Sequence, residues 1–241
     1  KRLKFKISCI FGHNKVLAGD VVKNGTPVVI NELMWSLATS AQAAILGHIT
    51  YSIGDPVAAN SIAGVVQQLS TVIIMGVANA AAVLVGMAIG ENNMEKAENR
   101  ARAFRNLSFI MGLIACVFIL AVKKAFIGFY NVPDETKILA DQIMTVFAFI
   151  TICCSVNMTL IMGALRGAGD TKFCMRTEVG CLWLLAIPLA LVMAFVFKAP
   201  VPVVFFFMKI DEMTKAVICL IRMRGTKWLN SLTRDFSEIS E

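Results

Sequence analysis

Glu32 stands in an apolar run, Gly25 to Gly54, that holds no other charge. A carboxylate near the centre of a membrane helix costs about 2.5–3.5 kcal/mol on insertion scales, so it faces a cavity, finds a partner or stays protonated. Two chemistries suit such a group: a carboxyl raised in pKa by burial exchanges a proton, and an ionised one binds a cation. The plainer alternative is that Glu32, about two turns from the end of its helix, reaches back to water. Asn31, Gln42, Gln67 and Asn157 are polar side chains in similar apolar surroundings. They line a pathway or hydrogen-bond adjacent helices.

Covalent chemistry finds little support. Gly167-Ala168-Gly169-Asp170 fits the GxGD pattern of intramembrane aspartyl proteases, but that reaction needs a second aspartate on a facing helix so that two carboxylates share a proton. No Tyr-Asp pair occurs in an earlier run, and Asp170 sits among Arg166, Lys172 and Arg176. His13 and His48 are too few and too scattered for a metal site, and no HExxH, P-loop or GxSxG sequence is present. The seven cysteines form no CxxC pair, and most lie in apolar runs, where they read as small buried hydrophobes. The sequence reads as no enzyme, with no cofactor and no metal.

The elements that must position these residues are six apolar runs. They are Gly25 to Gly54, Pro56 to Gly90, Asn106 to Val122, Gln142 to Leu165, Val179 to Phe197 and a short one from Ala199 to Met208. At about 20 residues per hydrocarbon thickness, the first five are long enough to span a bilayer, and the sixth spans if its helix continues through charged residues. Mean hydropathy of +0.72 and 16% charged residues also lie outside the soluble range. The predicted fold class is an all-α polytopic membrane protein. Its expected segments are 1–23 as a cytoplasmic loop, 24–222 as a six-helix transmembrane lobe and 223–241 as a cytoplasmic tail.

The net charge of +7 is explained by topology. With both termini cytoplasmic, 17 lysines and arginines fall in cytoplasmic segments and four (Lys123, Lys124, Lys137, Lys198) on the other side, as the positive-inside rule prefers. No nucleic-acid partner is needed. The opening segment shows no signal peptide, and a basic loop directly ahead of a membrane helix suggests the back part of something larger.

Local signals add detail. Gly25-Thr26-Pro27 is expected to open the first helix, where a proline lacks only an N–H that would be unpaired anyway. On that helix Glu32, Trp35, Ser36, Thr39 and Gln42 share a sector of roughly 120°. Asn60, Gln67 and Thr71 form a second stripe, and Gly86 and Gly90 have the GxxxG spacing of close helix approach. Met94 to Arg105 reads as an amphipathic stretch along the cytoplasmic surface. Thr151, Ser155 and Thr159 share a face with Asn157 beside it, Pro188 predicts a bend, and Asp211 and Lys215 are spaced for an ion pair within one helix.

The segment GALRGAGDTKF, Gly163 to Phe173, resembles the signature of the multidrug and toxic compound extrusion (MATE) family. It keeps the right company: GTPVVINELMWS from Gly25, the small-residue run from Val57 to Gly86, Gly90 with Ala97, then Asp211, Glu212 and Lys215 with Lys227-Trp228. The resemblance covers nearly the whole chain as the second half of such a transporter. It implies a twelve-helix antiporter built of two six-helix lobes, of which this chain is the carboxy-terminal one, so that the amino-terminal lobe is its partner. It implies export of small organic, often cationic, compounds by alternating access, driven by H⁺ or Na⁺, from a cell (plasma) membrane, here a bacterial one.

Under that resemblance Glu32 with Asn31 is the cation-coupling candidate, and Trp35, Gln42, Gln67 and Asn157 are pathway-lining candidates. Pro27, Gly163, Arg166, Gly167, Gly169, Asp170, Asp211, Glu212 and Lys215 are family-motif residues with structural or conformational roles, and Arg166 and Asp170 are expected to pair or cap. Glu32 follows Pro27 by five residues where many members place the acid about eight after it, and no acid occurs in the fourth span. Alternatives are a lipid-linked sugar or lipid exporter of the same superfamily, and a fragment without transport activity.

Overall fold

A computed structural model describes residues 15–225 together with Trp228 and Leu229, without the side chains of 15–21, 23 and 24. Most of the expected loop and tail, with Cys9, His13 and Lys227, lies outside the described residues. The described chain is helical throughout: α1 (Lys15–Gly47), α2 (Pro56–Gly90), α3 (Met94–Gly128), α4 (Asp134–Leu165), α5 (Thr171–Val196) and a sixth rod in two pieces, α6a (Val201–Met208) and α6b (Ile210–Arg224). Helices α2, α3, α4 and α5 are each long and apolar enough to cross a membrane. The polar stripe of α1 lowers its apolar character, and the break at Lys209 divides the sixth rod into helices of 8 and 15 residues.

Three local expectations are corrected. Helix α1 begins by Lys15, so Pro27 lies inside it rather than at its first turn. Proline there removes one backbone donor, and beside it Thr26 Oγ1 donates to the Val22 carbonyl at 2.6 Å. Second, Met94 to Arg105, expected as an amphipathic stretch along the surface ahead of the third span, forms the first three turns of α3 itself, because no glycine or proline separates Arg105 from Asn106. Third, Gly90 is open on its Cβ side. Gly86 does meet α4, since a Cβ there would lie 3.2 Å from the Gly167 carbonyl oxygen, and the tightest approach runs through Gly163 and Gly167 of α4, also four apart, against Ala78, Ala81 and Ala82 of α2.

Other signals act as their chemistry dictates. The Asp55 carboxylate accepts from Val57 N and Ala58 N at 2.8 and 3.1 Å, with Pro56 in the first turn of α2. Gly54, at φ +97°, lets the loop pass against the backbone of Glu135. Around Pro188 the helix widens into π-turns at Cys181–Ala186 and Val192–Val196. The Ile187 N–H there reaches the Leu182 carbonyl, absorbing the register change that a missing donor imposes.

Helix α4 is the central rod, packed against α2, α3 and α6, while α1 leans mainly on α5. Two apolar cores occupy opposite ends of the bundle. One gathers Leu46, Val66, Ile119, Ile143, Phe147 and Phe205. The other gathers Val85, Leu160, Ile161, Leu165, Cys219 and Trp228. Between them on four of the rods lie buried polar residues: Ser70 on α2, Ser108 on α3, Thr151 and Ser155 on α4, Asp211 and Lys215 on α6b. Ser155 Oγ donates to the Ser108 carbonyl at 2.7 Å, tying α4 to α3 within this polar layer.

Candidate functional site

The polar layer holds a carboxylate pair on one ammonium. Lys215 Nζ lies 2.6 Å from Asp211 Oδ2 and 3.3 Å from Glu212 Oε1. The i,i+4 spacing seen in the sequence places the first pair on one face of α6b. Asn157 of α4 donates from Nδ2 to Glu212 Oε2 at 2.9 Å, so the cluster bridges the two helices. Asp211 and Lys215 are each 3% exposed, and Asp211 Oδ1 is buried with no hydrogen-bond partner among the described residues.

A second cluster joins three helices around Arg166. Its Nη1 donates to Glu32 Oε1 at 3.1 Å and its Nη2 to Glu178 Oε2 at 2.8 Å. Asn31 Nδ2 donates to the same Glu178 oxygen at 2.6 Å. One guanidinium thus holds an acid from α1 and one from α5, a use for which its planar fork is suited. The Glu32 side chain is half exposed, whereas Arg166 and Glu178 are largely enclosed. Asn31 is buried, and its Oδ1 has no partner among the described residues.

The Gly-rich turn between α4 and α5 is fixed from both ends. Gly169 takes φ +82°, a left-handed conformation open to glycine. Asp170 neither pairs with Arg166 nor caps α5, contrary to expectation. Its Oδ2 accepts from Nε and Nη2 of Arg222 at 3.0 and 2.8 Å, and that guanidinium also lies 4.8 Å over the Phe173 ring. Arg166 is drawn away because two carboxylates on other helices offer it a better fork.

The comparisons decide what this arrangement belongs to. The MatE family profile matches residues 27–192, more than two thirds of the chain. The chain belongs to the MATE family. Among curated relatives it is similar to a probable multidrug resistance protein NorM of Xanthomonas campestris, 28% identical over 173 residues, covering 71% of this chain and 36% of that one. The multidrug resistance protein MdtK of Yersinia pseudotuberculosis is 25% identical over 114 residues, covering 47% and 25%. A MOP superfamily transporter from Pyrococcus furiosus shares the fold with TM-score 0.78 at 17% identity, over 92% of this chain and 48% of that one. The chain therefore spans about half the length, or less, of the proteins it matches. It is a multi-pass membrane protein with the fold of one MATE lobe, from a family of transporters and not of enzymes.

Within this MATE lobe the candidate residues part company. Trp35 is exposed on α1, three positions from Glu32, and Gln67 is half-buried on α2. Gln42 is buried and donates from Nε2 to the Met208 carbonyl at 3.0 Å, where α6a ends. The sector that groups Gln42 with Glu32 drifts about 80° over ten residues at 100° per residue, enough to turn one toward α6 and leave the other open. Glu178 and Arg222 escaped the sequence reading. Glu178 adjoins the apolar run starting at Val179 and counts there as its flank, yet α5 starts at Thr171, which puts Glu178 two turns inside. Its eight-residue distance from Asp170 on a helix was the signal available.

Proposed function

We propose that this chain is the carboxy-terminal lobe of a cation-coupled antiporter that moves small organic, often cationic, compounds out across the plasma membrane by alternating access. The observation that carries the reading is Arg166 shared between Glu32, half exposed on α1, and Glu178 on α5. When Glu32 takes a proton or Na⁺ its hold on the guanidinium weakens, and α1 becomes free to shift against α4 and α5. A bound cation thereby biases the lobe between two arrangements. Trp35 beside Glu32 offers an aromatic face to an organic cation.

The family relatives support this reading through their names, which are those of multidrug resistance proteins. Solved MATE structures described as outward-facing and inward-facing match the chain with TM-scores of 0.77 and 0.73, as expected of a lobe that keeps its fold while it rocks. The amino-terminal lobe is then the partner that closes the solute route, both ends of this segment face the cytoplasm, and the host is bacterial. An acidic group on the open face of α1 favours organic cations over a lipid-linked sugar, which calls for cationic groups there.

The test uses inside-out vesicles from an efflux-deficient bacterium producing the polypeptide that carries this chain, with ethidium as probe. Uptake driven by an imposed H⁺ or Na⁺ gradient is expected, with Glu32→Gln lowering it while membrane insertion stays intact. Transport unchanged by that substitution removes Glu32 from coupling. Absence of any gradient-driven movement of the probe overturns the antiport reading in favour of an inactive fragment.

A further inference from the structure

The α6b cluster holds more negative charge than its contacts neutralise. Asp211 and Glu212 share the single ammonium of Lys215. Lys209, at the break between α6a and α6b, makes no contact ion pair with either acid among the described residues. A lone charge buried between two apolar cores in a bilayer is costly. Glu212 is well provided for, with Lys215 on one oxygen and Asn157 on the other. Asp211 is not: Oδ2 meets Lys215, while Oδ1 is enclosed and unpartnered.

We propose that Asp211 is a proton-binding site of this lobe, taking a proton on Oδ1 from water on one side of the membrane and returning it to water on the other. This deepens the antiport reading and rests on it. The O–H bond forms on an oxygen that has no competing donor. The neutral acid then releases Lys215 to Glu212, 3.3 Å away, leaving one cation on one anion, with Asn157 holding the anion to α4. Losing the proton draws the ammonium back to Asp211. The proton thus changes how α6b is held against α4.

The groups around the site permit this exchange. On its own helix they are Lys209, Glu212 and Lys215. From α4 come Asn157 and the thiols of Cys153 and Cys154, and from α5 the thiol of Cys181. Glu178 of α5 acts electrostatically on Lys215. Glu178 also binds Arg166, whose other partner is Glu32, so it stands between this site and the cluster on the open face of α1. The Lys215 ammonium already sits on both carboxylates at 2.6 and 3.3 Å, which favours a proton over a metal cation here.

The test is infrared difference spectroscopy of the purified full polypeptide in liposomes between acid and alkaline pH, paired with ethidium transport. A carbonyl band of a buried protonated acid is expected in the wild type, shifted by isotope labelling of aspartate carboxyls and not of glutamate. It should vanish in Asp211→Asn and persist in Glu212→Gln. Asp211→Asn should also drop pH-driven transport to the level of empty liposomes while keeping ethidium exchange, which needs no net proton. Absence of any buried-acid band that aspartate labelling shifts, an aspartate-shifted band that survives Asp211→Asn, pH-driven transport retained in that variant, or Asp211-dependent transport driven by Na⁺ at equal pH overturns the proposal. The isotope result needs no variant to fold. The band needs no transport, so a protein that shows it and moves no ethidium ends the antiport reading and leaves the proton site standing.

Discussion

Single atoms decide how near the helices of this lobe stand. A Cβ on Gly167 would lie 2.6 Å from the Ala82 carbonyl oxygen and 2.8 Å from its Cα, backbone atoms that have no rotamer to escape by. Gly167→Ala is therefore expected to destabilise the lobe by about 1–3 kcal/mol, the usual cost of overpacking. Gly64→Ala on α2, where nothing stands within 4 Å, should be neutral or gain up to about 1 kcal/mol from helix propensity. Thermal unfolding in detergent distinguishes the two, and equal shifts would refute the close packing. Arg166 is a second such point. Arg166→Met should cost about 1.5–3 kcal/mol for each charged hydrogen bond lost. Adding Glu178→Gln to it should recover part of that loss, because the enclosed acid no longer lacks its cation. No recovery in the double variant would separate the two residues energetically.

At the scale of elements, the rods are joined by polar contacts where their ends approach. The Tyr51 hydroxyl, in the loop after α1, lies 3.0 Å from the Ala194 carbonyl and 2.9 Å from that of Ala199. It thereby fastens the end of α5, where Lys198 holds a left-handed φ of 47°. The hydroxyl has one proton to share between these two carbonyls, so Tyr51→Phe should weaken this corner by about 0.5–1.5 kcal/mol. Hydrogen exchange should then quicken at residues 197–201 and stay unchanged in α2. Across the bundle, Lys123 of α3 binds Asp141 and Thr145 of α4 at 2.8 and 2.7 Å. How much of this was legible in sequence differs by element. Helices α2 to α5 follow from length and hydropathy, and the Asp55-Pro56 start of α2 from cap chemistry. The start of α1 did not follow, since Pro27 carries the same signal at a first turn as inside a membrane helix, where proline is tolerated. The α2–α4 contact followed in part, since Gly86 of the α2 pair does face Gly167, but only packing shows that Gly163 and Gly167 are the most tightly covered.

For the whole molecule, two apolar cores separated by a polar layer make a lobe that is firm at both ends and electrostatically adjustable in between. Topology belongs to this scale, because it depends on where all the basic residues fall. On the proposed topology, with both ends of the segment cytoplasmic, a cysteine in place of Lys172 should react with an impermeant thiol reagent only from the cytoplasmic side, and one in place of Lys124 only from outside. Labelling of both from one side of intact cells would break the six-crossing arrangement. The candidate site reads differently at this scale from residue by residue. Glu32 was visible as a charge alone in an apolar run. Its tie to Glu178 was not, because the two are far apart in the chain and meet only when α1 leans on α5 and Arg166 reaches between them.

Composition, run lengths and motif order were enough by themselves to determine a helical membrane lobe of the MATE kind, since hydrophobic length and turn chemistry are local properties that each segment carries alone. The pair Asp211 and Lys215 belongs with these, because four-residue spacing on a helix is itself a contact. Tertiary structure alone decided that Asp170 answers to Arg222, that Arg166 holds Glu32 and Glu178 together, and that one oxygen of Asp211 is left without a partner. Each of these depends on which helices touch and on what burial denies to a charged group, and neither is written in any one stretch of the chain.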